Sequence, residues 1–139
     1  MLNVLKFVAL LAVALTVGGF ANGLLISLSP HLIPPPEGLD LTTPEGLTAA
    51  APLMEPKHFV IPWLAHALGT WVGAFLISWW QPKWSLWGVL VVGGMFFVGG
   101  LMMVQMVPAP QWFVVLDLGL AYVPMAFLGR WASRRMRRN

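Results

Sequence analysis

Four stretches of the chain, residues 7–29, 59–80, 86–106 and 112–129, run apolar for close to or beyond the roughly 20 residues that cross a bilayer. None contains Lys, Arg or Glu, and only the last contains an acid, Asp117. With 58% of its 139 residues hydrophobic and 9% charged, against about 25% charged in soluble domains, the chain lacks the polar surface of a water-soluble fold. In lipid, backbone groups must be satisfied within a helix or around a closed barrel, and the period-2 alternation of a barrel strand is absent. The expected fold is an all-α integral membrane bundle of four transmembrane helices in a single domain. The spans fall at about 5–29, 57–80, 85–106 and 111–131, with an outer loop over 30–56 and a basic tail over 132–139. Lys6 before the first stretch and Gly19-Phe20-Ala21 within it resemble parts of a signal peptide, but the apolar run continues to Leu28, so a retained helix is expected.

Charge orients the bundle. Seven of the eight basic residues (Lys6, Lys83, Arg130, Arg134, Arg135, Arg137, Arg138) lie near the N-terminus, in the loop QPKWS or at the C-terminal end. Four of the five acids (Glu37, Asp40, Glu45, Glu55) lie in the long loop. The positive-inside rule then places both termini in the cytoplasm and residues 30–58 outside. Tryptophans fit this: Trp79, Trp80, Trp84, Trp87 and Trp131 mark the inner interface, Trp63 and Trp112 the outer one, and Trp71 alone sits near mid-membrane. The tail RWASRRMRRN has the composition of a nucleic-acid patch, but beside a helix end its arginines more simply contact anionic lipid. No nucleic-acid partner is expected.

The outer loop begins with Pro34-Pro35-Pro36, an extended run without backbone donors. Thr43-Pro44-Glu45 is a helix start, with a capping hydroxyl, Pro in the first turn and an acid near the positive end of the dipole. Gly46 and Pro52 limit this helix to about two turns, and Leu47, Leu53 and Met54 suit it to the membrane surface or to capping the bundle. The tripeptide EGL recurs at 37–39 and 45–47, too short a match to make a repeat. Pro56 after Glu55 suits the first turn of helix two.

At about 1.5 Å per residue, Asn22 and His66 each lie roughly 10 Å below the outer edge, Asp117 about 8 Å and Gln105 about 3 Å. Asn22, His66 and Asp117, on three different helices, therefore stand level. His66 and Asp117 are expected to share a proton or pair as ions, with Asn22 as a third hydrogen-bonding partner. Helical spacing puts His66 on one side with Pro62, Gly69, Thr70 and Gly73; Asn22 with Leu15, Gly18 and Gly19; and Asp117 with Ala121 and Pro124. Ala65, Gly69 and Gly73 form a small-xxx-small ladder for close helix contact. Two uses of the cluster compete. Interhelical hydrogen bonds of about 0.6 kcal/mol are common packing devices, whereas an intramembrane acid is a functional residue by default.

Other candidates carry less. His31, His58 and Glu55 flank the loop and offer nitrogen and oxygen to a divalent metal, but their spacing matches no ligand template, and solvated loop residues are the simpler reading. Met102, Met103 and Met106 have the thioethers that bind Cu(I), though without the repetition of a methionine-rich site, so core packing is expected. The glycine pairs 93–94 and 99–100 suit close helix contact or a flexible segment; no strand precedes them and no Lys follows, so they form no phosphate loop. Gly93 and Gly94 are taken as packing positions. Without Cys there is no disulfide, thiolate site or cysteine nucleophile. HExxH is absent, and nothing fixes a triad of His66 and Asp117 with Ser27 or Ser29. No cofactor is expected.

The motifs PPPEGLD, TPEGL and LAHALGTWVGAF, within residues 15–78, resemble small bacterial four-helix membrane proteins with a proline-rich loop after helix one and a glycine-rich helix two. The resemblance implies a bacterial inner-membrane location and brings no activity with it. Small multidrug resistance transporters are also short four-helix chains, but helix one here lacks their membrane-embedded Glu, which sets their mechanism aside. Two functions lead. The first is an accessory or scaffolding subunit that forms a homo-oligomer or joins a larger membrane complex through its glycine faces. The second is a proton-coupled transporter or channel using His66 and Asp117. An enzyme is the weakest reading, because two ionisable residues and an amide are few for lipid or quinone chemistry.

Overall fold

The computed structural model describes residues 2–38 and 40–139; Leu39, which ends the first EGL match, lies outside them. Helix α1 (Leu2–Leu32) is followed by the short α2 (Pro44–Ala50), then α3 (Val60–Trp80), α4 (Ser85–Met106), α5 (Gln111–Leu116) and α6 (Val123–Met136). The last two are joined through a π turn, Asp117–Ala121, into one rod. Four units, Leu2–Leu32, Pro56–Trp80, Pro82–Met106 and Gln111–Met136, are long and apolar enough to cross a membrane, and no strand occurs among the described residues. The protein is an all-α, multi-pass membrane protein.

The ends of the helices follow the local chemistry. α1 runs through Pro30 and stops before the three prolines, and Gly38, at φ 84°, makes the turn that follows. Asp40 Oδ1 accepts from the backbone N–H and hydroxyl of Thr42 at 2.9 and 2.6 Å. These bonds hold the Asp40 carboxyl below the usual carboxylate range. Thr43 Oγ1 then caps α2 by accepting from the Gly46 N–H at 3.1 Å, with Pro44 in the first turn. His58 ties the loop to the start of α3. Its Nδ1 accepts from the Glu55 N–H at 2.9 Å, so its Nε2 carries the hydrogen and donates to the Pro34 carbonyl at 3.1 Å. At the opposite end the chain stays helical to Met136, so most of the expected tail is an extension of α6.

α3 is the central helix, with α1 on one side and α4 and α6 on the others, while α1 barely touches α4. Lipid tails are as apolar as leucine, so association in a membrane depends on close packing rather than on hiding apolar area. Small residues supply the close approach. A β-carbon at Gly18 would stand 2.5 Å from the Gly69 carbonyl, one at Gly69 2.7 Å from Asn22 Cβ, and one at Gly73 3.1 Å from the Ala14 carbonyl. Ala65 is buried on the same helix. Gly129 seats α6 against the Trp71 and Phe75 backbone, and Gly93 meets Ala126. Gly19 and Gly94 make no contact within the chain: both face open space, because the intrachain contact faces of α1 and α4 run through Gly18 and Gly93 instead. At the arginine end Ala14, Ala74, Ile77, Val89, Val92 and Ala126 form one closed apolar core.

Candidate functional site: a buried His-Asp-Tyr network

His66 on α3 and Asp117 at the head of the π turn meet in the half of the bundle nearest the long loop. His66 Nδ1 lies 2.8 Å from Asp117 Oδ1 and 3.0 Å from Oδ2. A carboxylate only accepts, so the ring nitrogen facing it carries the hydrogen and Nδ1 donates to Asp117. The third partner is Tyr122, whose hydroxyl donates to Asp117 Oδ2 at 2.9 Å and lies 3.0 Å from His66 Nδ1. The Tyr122 and His66 rings stack at 5.7 Å. Asp117 and Tyr122 are only 3% and 2% exposed, so the carboxylate is enclosed by its two donors. Thr70 sits beneath, its hydroxyl donating to the His66 carbonyl at 2.8 Å, which is a backbone role.

The π turn makes this arrangement possible. On a straight α-helix, residues five apart point about 140° away from each other, and Asp117 and Tyr122 cannot both face inward. Pro124 has no N–H to offer the Leu120 carbonyl and crowds it, and the turn before it widens to Asp117–Ala121. One residue is thereby inserted into the inward face. The buried positions run Phe113, Asp117 and Ala121, then restart at Tyr122 and continue through Ala126, Gly129 and Ser133. Pro124, expected beside Asp117, is rotated out and exposed. Gly100 on α4 completes the seat, since a β-carbon there would stand 2.5 Å from the Tyr122 hydroxyl oxygen.

Several expectations are corrected by this geometry. Asn22 stands beside His66, in the same cleft, but makes no bond to it; its Oδ1 is buried without a partner among the described residues, and Tyr122 takes the third position instead. Gln105 is exposed and outside the network, because it lies on the far side of α4 from Gly100. Met102, Met103 and Met106 do not pack in the core; they are exposed, and with Met95 they line the cleft between α1 and α4. Both ring nitrogens of His58 are committed to the backbone, Glu55 pairs with Lys57 at 3.1 Å and His31 is exposed. Among the described residues, no three His, Cys, Asp or Glu converge as a metal site.

His66 borders two spaces. A cavity of about 250 Å³ lies beneath the long loop, between Pro35, Leu47 and Met54 above and His66 and Asp117 below. A cleft of about 490 Å³ opens sideways between α1 and α4, past Asn22, Phe96, Gly99 and Met102, with His66 and Tyr122 at its base. His66, Gly100 and Met103 border both spaces. His66 Nε2 has no hydrogen-bond partner among the described residues and is not walled in, so it is the network's one atom open to a guest. A ring nitrogen whose opposite N–H is fixed by a carboxylate is the usual form of a histidine that accepts or donates a proton or binds a ligand.

At the other end, Arg130 Nε donates to Ser85 Oγ at 3.1 Å and Arg137 Nη1 to the Trp79 carbonyl at 3.0 Å. The Arg137 and Arg135 guanidinium groups lie over the Trp79 and Trp131 rings at 5.8 and 5.7 Å. Arg134 and Arg138 are exposed. Arg130 and Arg137 thus brace the helix ends as well as carrying charge. No family model, curated protein or solved structure matches this chain.

Proposed function

We propose that this protein is a small proton-coupled membrane transporter that loads a membrane-dissolved small molecule at His66. The observation that carries this reading is His66, which borders both spaces with its Nε2 unbonded among the described residues while Asp117 and Tyr122 hold the rest of the ring. With Nδ1–H fixed on Asp117, proton gain or loss falls to Nε2, which donates in one form and accepts in the other. The apolar core at the arginine end closes the far side, so the geometry suits a binding state open at one end better than a continuous channel. The charge pattern supports an orientation with both termini cytoplasmic and the loop outside, with the exposed Arg134 and Arg138 against anionic lipid, and the resemblance to small bacterial four-helix membrane proteins suits a bacterial inner membrane.

The test uses proteoliposomes holding a trapped pH dye and an inside-acid gradient, exposed to two membrane-permeant probes, tetraphenylphosphonium and decylubiquinol. Dissipation faster than in empty vesicles is expected with at least one probe, and is lost in Asp117→Asn protein that keeps its thermal midpoint. Identical dissipation by wild type and Asp117→Asn with both probes makes the pair a packing device and overturns the reading.

One observation favours the accessory-subunit function beside this. Ala12, Thr16, Gly19, Gly23 and Ser27 form an exposed small-residue stripe on α1, and Gly19 and Gly23 meet nothing within 4 Å. Each glycine weakens a helix interior by about 1 kcal/mol and gains nothing within the chain, as expected where a second helix approaches. Gly19→Leu and Gly23→Leu should each shift a detergent-solubilised oligomer to monomer; a wild-type monomer at high concentration excludes this use.

A further inference from the structure

We infer that the cavity and cleft together form a binding site for a neutral isoprenoid quinol, its ring hydrogen-bonded to His66 Nε2 and its tail leaving for the bilayer between α1 and α4. The inference rests on reading Nε2 as the open atom of the network. Charge narrows the ligand first. Among the described residues lining either space there is no Lys or Arg, both ring nitrogens of His58 are taken by the backbone, and any positive charge on His66 is met by Asp117, so a phosphate or carboxylate head group would find no free counter-charge. A cation is no better served. The one acid, Asp117, is 3% exposed and already accepts from His66 and Tyr122, so its charge is largely met before a second partner arrives. What remains is a neutral head group with few polar contacts, such as a phenol whose O–H donates to Nε2 beside Asn22.

Size and shape narrow it further. Sites that enclose a whole small molecule span roughly 300–1,000 Å³. The cavity under the loop, at about 250 Å³, falls below that range and suits a head group alone. The sideways cleft of about 490 Å³ shares His66, Gly100 and Met103 with the cavity, and its walls are Leu15, Asn22, Phe96, Gly99 and thioethers. Thioether sulfur and aromatic faces favour a flat ring and conform to a branched tail. α1 barely contacts α4, so the cleft faces lipid at the depth of His66 and a tail can pass without crossing the loop.

The test is direct binding by the full-length protein in detergent, measured by tryptophan fluorescence with decylubiquinol as probe and decanol, which keeps a tail and a hydroxyl but lacks the ring, as the control. Saturable binding of decylubiquinol is expected, at least tenfold tighter than any response to decanol. His66→Leu should lose it at least tenfold. Gly99→Leu, which adds bulk to the cleft at a position where a β-carbon meets nothing within 4 Å, should weaken it while leaving the His66 network and thermal stability intact. Equal responses to both probes, or binding unchanged in both variants, overturn the inference. If tetraphenylphosphonium drives proton movement through Asp117 while decylubiquinol fails to bind, the transporter reading stands and the ligand class is wrong.

Discussion

The position of Tyr122 can be tested by two alanines one residue apart. At Gly99 a β-carbon meets nothing within 4 Å, whereas at Gly100 it would lie 2.5 Å from the Tyr122 hydroxyl oxygen, 2.7 Å from Cζ and 2.8 Å from Cε2. Replacing glycine by alanine in a helix interior gains about 0.8–1 kcal/mol of propensity at either site. At Gly100 that gain is set against overpacking, typically about 1–3 kcal/mol, because Tyr122 is 2% exposed and bonded to Asp117 and has nowhere to retreat. If the ring is driven out, its hydrogen bond goes too, at about 0.6 kcal/mol on average and up to about 1.7 in membrane proteins. Gly99→Ala should therefore match or exceed wild type, and Gly100→Ala should fall about 2–4 kcal/mol below Gly99→Ala. Equilibrium unfolding in mixed micelles, followed by tryptophan fluorescence, reads the difference. Equal stabilities for the two variants would refute the placement of Tyr122 against α4, and with it the account of the π turn.

Other consequences follow from the same geometry. Tyr122→Phe removes one of the two donors to Asp117 and should cost about 1–2 kcal/mol in the same unfolding experiment; no loss would mean that the hydroxyl does not bond the acid. Gly18→Val places side-chain atoms against the Gly69 carbonyl, which cannot yield, and should lower folding stability by more than about 2 kcal/mol; Gly19→Val should change it by less than about 0.5. His58→Leu removes the partner of both the Glu55 N–H and the Pro34 carbonyl, and should raise protease cleavage within residues 34–58 while leaving the spans folded; unchanged cleavage would show that His58 does not anchor the loop.

Much of the fold was legible because the bilayer imposes it. Uncharged runs of membrane length specified four helices, and Thr43 with Pro44 specified the start of α2 through a cap that the structure contains. Converting spacing to depth brought His66 and Asp117 to one level because their separation depends only on where each helix begins and on its rise per residue. Rotation about the helix axis was harder. It misplaced Pro124 and passed over Tyr122, because a face drawn at 3.6 residues per turn fails across a π turn. The one available signal was Pro124 itself, interior to an apolar span and seven residues beyond the acid. Which of two adjacent glycines packs, Gly18 or Gly19, Gly93 or Gly94, was not legible either, since a rotation of one residue decides it and all are equally apolar.

The central claim is that Asp117 fixes the His66 ring by Nδ1 and leaves Nε2 as the exchanging atom. Nitrogen-15 NMR of histidine-labelled protein in bilayers tests it most directly, following both His66 ring nitrogens from pH 5 to pH 10. The expected result is a protonated Nδ1 throughout, bonded to Asp117, with any change of protonation confined to Nε2. A ring that loses its Nδ1 proton and keeps the one on Nε2 would contradict the account, because the hydrogen bond to Asp117 would then be absent and the cavity would face a ring fixed the other way.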